Sequence, residues 1–369
     1  MSQVLARKWR PKTFAELVGQ EHVVRALTNA LTQQRLHHAY LFTGTRGVGK
    51  TTLARIIAKA LNCETGITAT PCGKCGACTE IDAGRFIDLI ELDAGSTTKV
   101  EDMRDLLENA PYAPTSARFK VYIIDEVHML SRSAFNAMLK TLEEPPAYAV
   151  FILATTELEK VPETVQSRCQ VFEFKKPTRA VLSSMIAAVA KKEGYTLAPD
   201  AAELISLLAE GSYRDALSVL QKVFAATEGK SLSRETVEAA TGAPKREQVH
   251  ALIHALAGGE RGTALAAIEK AAKAGADMKL FLELVLEALR ATLLIRYAPE
   301  LRASLSEELG ADEFATLETF AKENLSTKLG AGGITHATML AFLTAAERIR
   351  YAPIPALPLE LAVLELFPE

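Results

Sequence analysis

Eight residues do most to restrict what this chain can fold into. Gly44-Thr45-Arg46-Gly47-Val48-Gly49-Lys50-Thr51 follows the apolar run Tyr40–Thr43 directly and opens a helical pattern that continues to Asn62. Strand, glycine-rich loop and helix in that order is the setting in which G-x-x-x-x-G-K-[ST] cradles phosphate. The glycines let successive backbone N–H groups turn inward, and the helix N-terminus adds partial positive charge. Gly44, Thr45, Arg46, Gly47, Val48, Gly49, Lys50, Thr51 and Thr52 are therefore the expected nucleotide-binding residues. Lys50 is placed to reach the β- and γ-phosphates and Thr51 to hold Mg²⁺.

The rest of the first half alternates apolar runs with amphipathic stretches. Tyr40–Thr43, Ile87–Leu92, Lys120–Asp125, Val150–Ala154 and Val171–Phe174 read as buried strands. Thr51–Asn62, Lys99–Asn109, Ser133–Leu142 and Pro162–Ser167 read as helices between them. That alternation predicts a parallel sheet with helices on both faces. The strand ending in Asp125-Glu126 delivers two acids to the end where open sheets bind ligands. Asp125 is expected to hold Mg²⁺ through water and Glu126 to orient or deprotonate an attacking water; a solvated acid pair opening a helix is the alternative. Thr156, just past the fourth strand, could bond the γ-phosphate or that water. Arg168 follows at a helix–strand junction, where it could reach a neighbouring subunit's nucleotide, and Arg214 opens a later helix that could fold over the phosphates. Either arginine could also be merely solvated.

Four of the five cysteines, Cys63, Cys72, Cys75 and Cys78, fall within sixteen residues. In a chain without other signs of a disulfide framework this spacing points to metal, and four thiolates suit tetrahedral Zn²⁺. Gly66, Gly73 and Gly76 are expected to supply the turns. An iron–sulfur cluster also accepts C-x-x-C-x-x-C, but its usual fourth cysteine lies just downstream before a proline. Here it lies upstream, which favours zinc, and four sulfurs leave no open position for catalysis.

Charge separates the candidates further. The 42 Lys/Arg and 45 Asp/Glu leave a net −3, unlike a protein that simply coats nucleic acid. From Met1 to Asn62, however, ten basic residues face two acids, a local +8 attractive to phosphate. Met1–Phe14 carries four basic residues and no apolar core, unlike a secretory signal, and no run nears the ~18 apolar residues of a membrane span. A cytoplasmic protein with no membrane partner is expected. After Lys175-Lys176-Pro177 the pattern becomes helical, and Thr241–Pro244 marks a second break. Residues 1–175, 176–242 and 243–369 are the expected domains, the last built from Glu247–Ala257, Gly262–Lys273, Asp277–Tyr297, Asp312–Leu329 and Thr335–Tyr351.

Taken together, Arg7–Pro11 with Phe14 and Val18-Gly19-Gln20, His38–Phe42, the Gly44–Thr51 loop and the four cysteines resemble one family. So do Asp125–His128, Leu139–Pro146, Ser167–Cys169 and Gly211–Leu217. The chain resembles the AAA+ clamp-loader ATPases, specifically the gamma/tau family of bacterial DNA polymerase III, closely over the first ~240 residues. The resemblance implies an α/β P-loop AAA+ domain with a zinc insert, a small helical lid and an all-α collar. It implies ATP, Mg²⁺ and Zn²⁺ as cofactors. Thr156 then matches the first sensor, Arg214 the second and Arg168 a finger acting in trans. Val4–Gln20 would enclose adenine, with Arg7 and Val18 in contact. Implied partners are other clamp-loader subunits in a hetero-pentamer, the sliding clamp and primer–template DNA, with Lys99 and Arg104 candidates for template phosphates. A non-hydrolysing scaffold subunit and a branch-migration or helicase motor are the rival readings. Against the first stand the intact loop and acid pair; against the second, the cysteine insert and the lack of a winged-helix pattern. The family's long form continues into helicase- and polymerase-binding segments beyond the collar, which this sequence, ending at Glu369, does not include.

Overall fold

A computed structural model describes residues 4–96, 109–309, 311–323 and 333–367. Its elements run α1 (Leu5–Lys8), α2 (Glu21–Thr32), β1 (Ala39–Thr43), α3 (Lys50–Asn62), α4 (Gly76–Ala83), β2 (Leu89–Asp93) and β3 (Lys120–Asp125). Next come α5 (Arg132–Glu143), β4 (Ala149–Thr155), α6 (Glu163–Gln166), β5 (Gln170–Glu173), α7 (Arg179–Lys192), β6 (Thr196–Leu197), α8 (Pro199–Leu208), α9 (Tyr213–Ala226) and β7 (Ser231–Leu232). Helices complete the chain: α10 (Arg234–Thr241), α11 (Arg246–Gly258), α12 (Arg261–Lys273), α13 (Met278–Tyr297), α14 (Arg302–Leu309), α15 (Ala311–Glu323), α16 (His336–Arg348) and α17 (Leu357–Leu366).

The chain divides into two compact units, Met1–Val189 with Ser206–Gln221, and Ala190–Ile205 with Lys222–Glu369. In the first, five parallel strands stand in the order β2-β3-β4-β1-β5. Side chains alternate across a strand, and here the alternation sorts two cores. Tyr40, Phe42, Ile123 and Ile152 join Val23, Leu27, Ile57 and Leu61 of α2 and α3 on one face. Leu41, Tyr122, Ile124, Phe151 and Leu153 join Phe135, Met138 and Leu142 of α5 on the other. A sheet buried on both faces explains why β1, β3 and β4 read as unbroken apolar runs. The strands expected in the first half recur within a few residues, and the fold is a parallel α/β sheet with a phosphate loop after β1, followed by a helical C-terminal region.

The second unit pairs β6 with β7 in a short parallel ladder. Its long helix α13 buries Phe281, Leu282, Val285, Leu289 and Ile295 and packs against α11, α15 and α16. Among the described residues no helix is long and apolar enough to cross a membrane.

Two differences from the sequence reading stand out. Helices α1, α2, α4, α14 and α17 and the strands β6 and β7 lie outside the expected elements; α2 carries a regular Val23, Leu27, Leu31 stripe, whereas α1 has four residues, α4 eight and each of the two strands only two, too few for a period to show. The strand expected from Ile87 begins at Leu89, because Asp88 is taken by a turn instead. Its carboxylate, 1% exposed, accepts the N–H groups of Thr115, Ser116 and Ala117 at 2.8, 2.9 and 3.0 Å. The expected helix Lys99–Asn109, Asn109 excepted, lies outside the described residues, as do Lys99, Arg104 and the end of Asp312–Leu329.

Asp88→Ala strands those three donors while removing no apolar packing. Stability should fall by about 2 kcal/mol, seen as a lower urea midpoint with an unchanged denaturant slope.

Candidate nucleotide site and cysteine cluster

The loop after β1 is closed by contacts that tolerate no side chain. Gly44 and Gly47 hold φ of 142° and 77°. A Cβ on Gly44 would lie 2.5 Å from the Phe174 carbonyl oxygen, and one on Gly47 would lie 2.0 Å from Ser212 Oγ. The loop therefore runs directly beneath the N-terminus of α9. Lys50, 6% exposed, donates from Nζ to the carbonyls of Gly44 at 2.6 Å and Thr45 at 3.0 Å. Burial pulls its pKa below the ordinary lysine value, with Glu126 and Asp125 opposing that shift.

The acid pair meets the loop through one hydroxyl. Thr51 Oγ1 donates to Asp125 Oδ2 at 2.6 Å, and Asp125 Oδ1 accepts the Glu126 N–H at 3.0 Å. Glu126 adopts φ 48°, the left-handed region that a non-glycine residue rarely occupies; this turns it off the end of β3. Thr156 Oγ1 donates to Glu126 Oε2 at 3.1 Å, which the pairing of β3 beside β4 makes possible. His128, 6% exposed, lies 3.5 Å from Glu126 Oε2, 3.0 Å from Thr155 Oγ1 and 3.2 Å from Glu157 Oε1. Glu126 thus has two neighbours that fix its direction; the sequence points to Thr156 as a partner of phosphate or water, not of Glu126, and does not point to His128 in this role.

Above the loop lies a cavity of about 420 Å³ whose lining belongs wholly to the first unit. Arg46 to Thr52 form its floor and Asp125 and Glu126 one end. The wall from the N-terminal segment carries Trp9, Arg10, Pro11, Leu17 and Val18. Val18 is thus on the lining, while Arg7 is exposed and is not. Ala6 in α1 and Trp9 and Arg10 just beyond its end line the cavity, while Arg7 within the helix does not. Burial, followed by the Arg55 charge, lowers the Arg10 pKa, with Glu91 opposing. Arg10 was legible only as part of the Arg7–Pro11 run. Gly44 and Thr45 stand behind the lining, the latter as a carbonyl acceptor for Lys50.

The far side comes from α7 and α9 through Met185, Tyr213, Arg214 and Leu217. Tyr213 ties it down at both ends. Its N–H donates to the Gly47 carbonyl at 3.0 Å and its hydroxyl to the Val18 carbonyl at 2.6 Å. Gln20, fully buried, pairs both side-chain atoms with the Lys175 backbone at 2.7 and 3.1 Å. Arg168 is placed elsewhere. Its guanidinium contacts Glu143 Oε1 at 2.5 Å and the Thr164 carbonyl at 2.7 Å, and it lines no part of the cavity of its own chain.

The four cysteines converge. Their sulfurs all lie within 4.8 Å of one another, close to the spacing of about 3.8 Å that a tetrahedral ion with Zn–S bonds near 2.3 Å would impose. Cys63 ends α3, Cys72 and Cys75 lie in the loop and Cys78 sits on α4. Gly66 and Gly73 do make positive-φ turns, at 120° and 69°; Gly76 instead begins α4, so its expected turn is a helix start. Burial opposes ionisation of Cys63, but the Cys72 amide, at 3.4 Å, and the Thr65 hydroxyl, at 3.0 Å, bring its pKa down to about 6. That is thiolate character suited to a metal. Cys169 stands apart, pushed up to about 12 by burial.

Two family models match the chain: DNA polymerase III, delta subunit, over residues 19–178, and DNA polymerase III subunits gamma and tau domain III over residues 232–368. DNA polymerase III subunit tau of Salmonella typhimurium is 51% identical over 313 residues, 84% of this chain and 48% of that protein. The tau subunit of Escherichia coli is 50% identical over 318 residues, 86% of this chain and 48% of its own. DNA polymerase III subunit gamma of Buchnera aphidicola subsp. Schizaphis graminum is 42% identical over 299 residues, 81% of this chain and 82% of that one. The chain spans about half the length of the tau subunits it matches.

Tyr213→Phe removes one bond and little else. At neutral pH the variant should lose about 1 kcal/mol of stability. Burial, then the Glu21 charge, raises the Tyr213 pKa to about 12, whereas an unfolded tyrosine ionises near ~10. The wild type therefore loses stability as pH rises from about 10 to 12, because its unfolded state ionises first. The gap between the two proteins should close and then reverse over that window in melting curves, because about two pKa units outweigh the single bond.

Proposed function

The chain belongs to the gamma/tau family of DNA polymerase III subunits, and from that premise we propose that it is an ATP-hydrolysing clamp-loader subunit. The observation that carries this reading is the convergence of Lys50, the Thr51–Asp125 pair and Glu126, the last held by Thr156 from behind the lining, on one cavity floored by the phosphate loop. ATP would lay its phosphates on the N–H groups of Gly47 to Thr52, with the base against the Trp9–Val18 wall. Lys50 would exchange its Gly44 and Thr45 carbonyls for the β- and γ-phosphates. Thr51 and Asp125 are the residues that would hold Mg²⁺, whose charge neutralises the phosphate oxygens.

Glu126, directed by Thr156 and His128, orients the attacking water and accepts its proton. Arg214 approaches the phosphates from α9 and reports their presence to the lid. Arg168 serves a neighbouring subunit: it is anchored by Glu143 outside its own cavity, so the positive charge that stabilises transition-state phosphate arrives from the adjacent copy. The proposed domains are 1–175, a lid over 176–242 and a collar over 243–369. Exposed Leu340, Leu343, Leu361 and Leu364 on α16 and α17 offer the collar an apolar contact surface. In this scheme a cytoplasmic hetero-pentamer bound to ATP holds the sliding clamp open, and primer–template DNA triggers hydrolysis and release. The cysteine cluster holds structural zinc, since four sulfurs leave no open position.

ATP turnover by the assembled complex should rise with clamp and primed DNA together more than with either alone. Arg168→Ala, mixed with its companion subunits, should cut that stimulated turnover by ~10³-fold while ATP binding persists; unchanged stimulated turnover refutes the assignment. Elemental analysis should find one zinc per chain. Cys72→Ser, which replaces one of four strong ligands, should reduce the metal content well below that level and lower the melting temperature.

A further inference from the structure

A lysine side chain is seldom buried without a reason, because an ammonium taken out of water costs several kcal/mol unless it is paired. Lys59 is 2% exposed. It sits on α3, two turns beyond the phosphate loop, among Ile56, Ile57 and Ala60. Its ammonium has two partners on two different parts of the chain. One is the main-chain carbonyl of Lys12, at 2.6 Å. The other is Asp82 Oδ1, at 2.7 Å.

Each partner has a consequence. Lys12 lies between Pro11 and Glu16, both on the cavity wall, and its own N–H donates to Glu16 Oε2 at 2.7 Å. Its ammonium also reaches Asp82 Oδ2 at 3.9 Å. Asp82 belongs to α4, one turn after Cys78, on a helix that begins immediately after Cys75. Ile81, fully buried, packs α4 into the same core as α3. A continuous path thus leads from the cysteines through Asp82 and Lys59 to the backbone of the cavity wall.

We infer that Lys59 is a positioning residue through which the four-cysteine module sets the affinity of the neighbouring cavity for nucleotide. The inference rests on the nucleotide-binding reading above. With the sulfurs gathered on one ion, α4 is held, Asp82 is fixed and Lys59 pins the Lys12 carbonyl, so the Trp9–Val18 wall is ordered before nucleotide arrives. Loosening the module transfers that ordering cost to the binding step. The effect works through the wall and leaves the phosphate loop untouched.

Binding of a fluorescent ATP analogue with Mg²⁺ to the full chain tests this. Asp82→Asn, with its zinc content verified, should bind the analogue about tenfold more weakly, a coupling of ordinary size. Lys59→Met should do the same, and removal of zinc from the wild type should weaken binding similarly but add nothing in Asp82→Asn. The double variant Lys59→Met/Asp82→Leu replaces the ion pair with apolar side chains, which generally preserves or raises stability. It should regain the wild-type melting temperature and remain about tenfold weaker for the analogue. If affinity returns with stability, the pair acts only through folding and the inference fails. Wild-type affinity in zinc-loaded Asp82→Asn overturns it as well, even if Lys59→Met does not fold. A wild-type chain that cannot bind the analogue sinks the nucleotide reading and this inference with it, whereas a binding wild type with unaffected variants sinks the inference alone.

Discussion

The close passage of the phosphate loop beneath α9 governs the geometry of the first unit. Because a Cβ at Gly47 would overlap Ser212, the loop and the helix above it meet main chain to side chain, with no room for adjustment. The Tyr213 N–H then reaches the Gly47 carbonyl, its hydroxyl reaches Val18, and Arg214 is delivered to the cavity by sequence adjacency alone. A shift of the loop on meeting a phosphate must pass to α9 and to the N-terminal wall, because packed contacts of this kind move as units.

The acidic end follows a different rule. Asp125 and Glu126 are neighbours in sequence, yet they act in different directions because Glu126 adopts a left-handed backbone. Such a conformation costs of order 1 kcal/mol or more and persists where surrounding contacts impose it. The contacts are Thr156 and His128, from the adjoining strand end and the turn that follows. Two side-chain partners leave Glu126 few open rotamers, which would suit the water-orienting role proposed for it.

Much of this was legible in the sequence wherever chemistry and period coincide. The Gly44–Thr51 loop, the acids at the end of β3 and the cysteine spacing each require particular residue types at fixed intervals, so their convergence could be read directly. Strands buried on both faces announced themselves as apolar runs. What could not be read depends on contacts distant in the chain. Nothing near Tyr213 signals that its hydroxyl meets Val18, 195 residues away. Arg7 and Arg10 are equivalent on paper, and what separates them is that Arg7 lies within α1 while Arg10 lies beyond its end, on the cavity lining. Asp88 looked like part of a strand because its role, capping three amides from residues 115–117, lies across a long connection.

The position of Arg168 has an architectural consequence. On the proposed reading, the phosphate loop, the Thr51–Asp125 pair and Glu126 equip the site to bind nucleotide, and Arg168, which lies outside its own cavity, would complete the site of a neighbouring subunit. The arginine is already oriented by Glu143 and the Thr164 carbonyl, so in the proposed assembly little side-chain entropy would remain to be lost on meeting a neighbour's phosphate. Assembly then becomes the switch. Under that proposal, binding energy from ATP would be held in the contact between subunits, and hydrolysis would wait on the geometry that contact supplies. The tether proposed between the cysteine module and the cavity wall would fit this division, with affinity set within one chain and rate between two.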